Sequence, residues 1–172
     1  MALLASTRRE ADQQSFPLVV MLLAPVLALG LQSFVALHFP PFDVVDLPLL
    51  VTVYFAITWR NPLSATVAGA LIGIAQDALT HHPLGVFGIG KSVVGYLAAS
   101  LGVRIDTESH GTRLLVVFAS TLLHGGIFWL LQHRMLAQPL VWSWLREIVR
   151  AVVNALVAVI LFALLDKTKR RE

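Results

Sequence analysis

The stretch Ile148-Val149-Arg150-Ala151-Val152-Val153-Asn154-Ala155-Leu156-Val157-Ala158-Val159-Ile160-Leu161-Phe162-Ala163-Leu164-Leu165 decides the fold. It is apolar throughout apart from Arg150 and Asn154, and it lacks the alternation of a barrel strand. A helix of this length reaches across the ~30 Å hydrocarbon core of a bilayer. Comparable runs upstream predict spans at about 17–37, 47–59, 63–79, 84–103 and 114–132. The expected architecture is therefore an all-α integral membrane protein, a compact bundle of six transmembrane helices. Short connections favour antiparallel neighbours. Residues 1–16 are read as an N-terminal tail, 17–166 as one transmembrane domain, and 167–172 as a basic C-terminal tail.

Composition agrees with that reading. Hydrophobic residues make up 57% of the 172, charged residues only 13%, and mean hydropathy is +0.77. Soluble domains carry roughly 25% charged residues. The chain has no cysteine, which removes disulfides, thiolate metal sites and cysteine catalysis. A pI near 9.8 raises the question of nucleic acid. The basic residues lie beside the predicted spans instead, where they orient a membrane protein, so no nucleic-acid partner is expected. Arg8 and Arg9 before an apolar run could suggest a signal peptide, but the run is longer than an ordinary signal core and reads as a retained first span.

With six spans, one side receives Arg8, Arg9, Arg60, Arg104, Arg113, Lys167, Lys169, Arg170 and Arg171, and the other only Arg134 and Arg146. This asymmetry predicts cytoplasmic N- and C-termini. Trp142 and Trp144 fall where an interfacial aromatic belt is expected.

Gly85-Val86-Phe87-Gly88-Ile89-Gly90-Lys91-Ser92 satisfies the phosphate-binding G-x-x-x-x-G-K-[ST] pattern. That motif requires a strand-to-helix turn whose amides cradle phosphate. Here the preceding element is a predicted membrane helix, and the topology sets Gly85 near the outer face, away from ATP. Nucleotide binding is rejected. Gly69 and Gly73 lie one turn apart, with Ala65 and Asp77 extending the same ridge. Small residues at that spacing let another helix approach closely, either within the bundle or from a partner. Asp77 is an ionisable group near the outer end of span three, and Lys91 sits about two turns into span four, next across a short turn. They read either as an ion pair fixing helix register or as a polar site. His124 in span five suggests a hydrogen-bonded core histidine or a proton relay. His81-His82 suggests an exposed turn rather than metal ligands. Glu147 and Arg150, one turn apart, suggest a local pair. No hydrolase elbow or zinc-binding H-E-x-x-H pattern is present. No enzymatic activity, cofactor or metal is expected.

The order of these features resembles a known family. Leu47-Pro48-Leu49-Leu50-Val51 leads into Val53-Tyr54-Phe55-Ala56, followed by Gly69-x-x-x-Gly73-x-x-x-Asp77-Ala78-Leu79, Leu84-Gly85, and Gly95-Tyr96-Leu97. Val153-Asn154-Ala155-Leu156 and a basic tail close the chain. This succession is similar to MreD, the rod-shape-determining membrane protein family; Lys91 within span four departs from it. The resemblance implies a non-catalytic scaffold of the bacterial elongation machinery in the inner membrane. It would bind the single-span protein MreC and work with MreB, a SEDS glycosyltransferase and a penicillin-binding transpeptidase, and so regulate lateral peptidoglycan synthesis. Gly69, Gly73, Asp77, Gly85 and Asn154 are the implied packing or partner positions, and the basic segments could touch membrane lipid. The family's fold is similar to the S components of energy-coupling-factor vitamin transporters. The alternative is accordingly a small-molecule-binding subunit, with Asp77, Lys91 and His81 lining an outer pocket and Ala24-x-x-x-Ala28 in span one as a docking motif.

Overall fold

The computed structural model describes residues 17–38, 44–80, 83–107, 109–137 and 141–168. Among them run six α-helices: α1 (Leu18–His38), α2 (Leu47–Trp59), α3 (Pro62–Thr80), α4 (Val86–Gly102), α5 (His110–Leu130) and α6 (Trp144–Asp166). A π-helical turn, Leu131–Met135, continues α5.

Local chemistry sets several boundaries. Asp46 caps α2, its Oδ1 accepting the Leu49 N–H at 2.9 Å, and Pro48 occupies the first turn, where its missing N–H costs nothing. Arg60 ends α2 in the left-handed region at φ 52°, its N–H donating to the Ala56 carbonyl. Asn61 then opens α3, its Oδ1 accepting the Leu63 and Ser64 amides at 3.1 and 3.2 Å.

The short helix α2 is the axis of the bundle. Every residue from Pro48 to Ile57 is buried, and all five other helices pack against it. Tyr54 meets Phe162 of α6 at 5.1 Å between ring centroids. The 13 residues of α2 rise about 20 Å, less than a hydrocarbon core is thick. A helix sheathed by protein can be that short, because neighbours rather than lipid surround its ends.

The closest helix pair is α3 with α4. A Cβ on Gly69 would collide with the Lys91 carbonyl, and one on Gly73 with the Phe87 carbonyl. From the other side, a Cβ on Gly95 would lie 2.5 Å from the Ala65 carbonyl oxygen. The ridge Ala65-Gly69-Gly73 therefore lies against α4 with backbone nearly touching backbone, the approach small residues permit.

The outer surface is apolar where a soluble protein would be polar. Leu22, Leu71 and Ile160 are 71%, 66% and 67% exposed, while Lys91, Asp77 and Asn154 are wholly buried. Three helical stretches, Pro62–Thr80, His110–Met135 and Trp144–Asp166, are long and apolar enough to cross a bilayer. The apolar stretches Val19–Phe34, Leu47–Trp59 and Val86–Gly102 are shorter. Two helices outrun their expected spans. α5 starts at His110 rather than at 114 and continues helically to Met135, and α6 starts at Trp144 rather than at 148. The connection expected over 133–146 shrinks accordingly, because hydropathy marks only the apolar part of a helix and not its polar ends.

Candidate functional site

The start of α2, the N-terminal half of α4 and the middle of α6 converge on a buried polar centre. Lys91 Nζ donates to Asp46 Oδ2 at 2.7 Å. His124 Nδ1 of α5 stands 3.9 Å from the same oxygen. Asn154 of α6 accepts the Asp46 N–H through Oδ1 at 2.9 Å and donates through Nδ2 to the Val44 and Arg150 carbonyls at 2.9 and 2.8 Å. Gln32 of α1 donates to the Val45 carbonyl at 2.8 Å and accepts the Leu47 N–H at 3.1 Å. Residues 44–47 are thus held by α1, α4 and α6 together. A charged pair removed from solvent is tolerable only when its remaining donors and acceptors are also met, and Asp46 meets that condition through Leu49. Phe87 completes the centre, with Lys91 Nζ 5.3 Å from its ring centroid and His124 stacked on it at 5.6 Å.

Asp77 does something different. Its two oxygens accept the amides of Gly85, Phe87 and Gly88 at 2.8, 3.1 and 3.3 Å. The carboxylate at the end of α3 therefore caps the start of α4, where free N–H groups and the helix dipole both favour negative charge. Gly85 stands at φ +102°, a backbone conformation only glycine adopts without strain. Asp77→Ala is expected to lower stability by about 0.5–2 kcal/mol through loss of this cap, with Asp77→Asn losing less; thermal unfolding in detergent distinguishes them.

The expected pair of Asp77 with Lys91 is corrected. Lys91 lies more than a turn inside α4 and reaches the start of α2, whereas Asp77 is level with the first amides of α4. The ammonium bonds Asp46. The sequence reading missed Asp46 and Gln32, although a topological signal was available: α2 and α4 begin at the same end of an antiparallel bundle, so Asp46 and Lys91 lie at similar depth.

The phosphate-binding pattern is dismantled by the same geometry. Val86 onward is helix, so Gly88, Gly90 and Lys91 sit within α4 and not in a loop. Glu147, only 3% exposed, lies 3.6 Å from both Arg150 Nη1 and Arg146 Nε. Its Oε2 occupies the space a side chain at Gly125 would fill. His81 and His82 lie outside the described residues. Among the described residues no group of His, Asp and Glu could hold a metal ion. Trp142 makes edge contacts with Trp129 and Trp144 at 5.8 and 5.2 Å.

At the opposite end, Asp166 of α6 accepts Tyr54 Oη of α2 at 2.9 Å and Arg113 Nη1 of α5 at 2.5 Å. Arg113 Nε donates to the Thr107 carbonyl at 2.6 Å, and Arg60 reaches Thr107 Oγ1 at 3.4 Å. Polar groups thus cross-link the bundle at this end as well as in its interior.

The family model for the rod shape-determining protein MreD matches residues 13–168, nearly the whole chain. The chain belongs to the MreD family. No curated protein and no solved structure matches it. As a member of MreD, a family of shape-determining membrane proteins, it carries in its Gly69–Gly73 ridge and Asp77 cap a joint between α3 and α4, and in Asp46, Lys91 and Asn154 a second joint among α2, α4 and α6.

Proposed function

We propose that this protein is a non-catalytic scaffold of the bacterial rod complex, spanning the inner membrane with six helices and with both termini in the cytoplasm. It binds the single-span protein MreC within the membrane and through it supports lateral peptidoglycan synthesis, with MreB, a SEDS glycosyltransferase and a penicillin-binding transpeptidase as further members of the assembly. The family match over residues 13–168 carries this reading. The disposition of polar groups supports it: Asp77 is committed to three amides and Lys91 to Asp46, so two residues of the alternative vitamin pocket already serve the bundle's own joints. Their chemistry suits a rigid platform better than a ligand cavity.

The test is co-purification from a rod-shaped bacterium. The scaffold reading expects a stable complex with MreC, no vitamin released on denaturation, and loss of rod shape on depletion. A bound vitamin and unchanged cell shape would overturn it in favour of the transporter subunit.

A further inference from the structure

α4 and α5 part toward the end of the bundle that carries Arg104, leaving a lateral groove of about 290 Å³. Val94, Ala98 and Val116 form its floor, and Leu97 and Leu123 its exposed rims. Arg104 stands in the lining as its basic group, exposed, with a guanidinium engaged in no hydrogen bond or ion pair among the described residues. The other arginines of this end, Arg60 and Arg113, are bonded to Thr107 and Asp166.

We infer that this groove is a binding site for one anionic phospholipid of the leaflet on the Arg104 side. Its acyl chain lies between α4 and α5 and its phosphate pairs with Arg104. The apolar lining and the single guanidinium select this occupant. An apolar slot with a free guanidinium is complementary to a chain joined to an anionic headgroup, and an arginine binds phosphate through two parallel N–H groups. The inference rests on the membrane-spanning reading above, but the site itself does not depend on which side of the membrane Arg104 faces.

The experiment is native mass spectrometry of the full-length protein with equimolar phosphatidylglycerol and phosphatidylcholine of matched chains. One phosphatidylglycerol should be retained about fivefold more than phosphatidylcholine, the effect of one basic residue on an anionic headgroup. Arg104→Gln should abolish that preference, while Lys167→Gln, a basic change at the same end outside the groove, should keep it. Ala119→Phe at the groove rim should reduce retention of both lipids. Equal retention of the two lipids by the unaltered protein, or an unchanged preference in Arg104→Gln, overturns the proposal. So does an Ala119→Phe variant that loses a membrane partner while retaining lipid normally, since the groove then seats a protein. Orientation is read separately. The chain has no cysteine, so a single cysteine placed at Thr168 reports its side of the membrane in intact cells. Labelling from outside would overturn the assigned orientation and leave the lipid result standing.

Discussion

Lys91→Met should destabilise the bundle by about 3–5 kcal/mol, because it strands the buried Asp46 carboxylate without its counter-charge. The lysine is wholly enclosed, so water does not replace it. Asp46→Asn alone should be damaging for the converse reason, leaving a buried ammonium. The double variant Asp46→Asn with Lys91→Met should recover most of the loss. Asparagine at 46 still caps α2 through its side-chain oxygen, and the methionine fills the lysine's volume without a charge. Thermal or denaturant unfolding in detergent, followed by tryptophan fluorescence, reads the cycle. Equal stability of Lys91→Met and the parent, or a double variant no better than the worse single, would show that the pair does not hold these helices. Asn154 ties the same loop to α6.

The second large effect is expected at Gly73. A methyl group there meets the backbone of Phe87 and Gly88, and backbone does not swing aside as a side-chain tip would. Gly73→Ala should therefore force α3 and α4 apart, with a cost at or above the ~1–3 kcal/mol of ordinary overpacking. Gly73→Val should go further and prevent recovery of folded protein. Gly69→Ala should behave like Gly73→Ala, because its methyl would strike the Lys91 carbonyl. Gly30→Ala is the control: nothing lies within 4 Å of its added methyl, and it sits inside α1. That substitution should be neutral or stabilise by up to about 1 kcal/mol through the better helix propensity of alanine. Size-exclusion profiles and melting temperatures of the four variants separate the cases. A Gly73→Ala protein as stable as Gly30→Ala would refute the close α3–α4 contact.

Much of the architecture was legible because it depends on single-residue properties summed along the chain. Runs such as 148–165 are too apolar for water, and their helices appear as α1 to α6 with only their ends displaced. The ridge of Gly69 and Gly73 was legible for a similar reason, since a four-residue spacing on one helix fixes which residues share a face. The local pair of Glu147 with Arg150 needed only i,i+3 proximity. The Asp77–Lys91 expectation failed because nearness in sequence across a short turn stood in for nearness in depth. Lys91 reaches back across 45 positions to Asp46, and no local pattern encodes that.

By itself, then, the sequence determined a helical membrane protein, its small-residue ridge and its family resemblance, since hydropathy, spacing and motif order are properties of the chain alone. Tertiary structure decided what the polar residues do. Which helix lies at the centre and which carboxylate meets which ammonium depend on how helices distant in the chain come together. The short α2 is buried on all sides because five neighbours enclose it. That enclosure brings Asp46 to Lys91 and leaves Asp77 to the amides of α4, an allocation of partners fixed by depth and facing in the folded bundle.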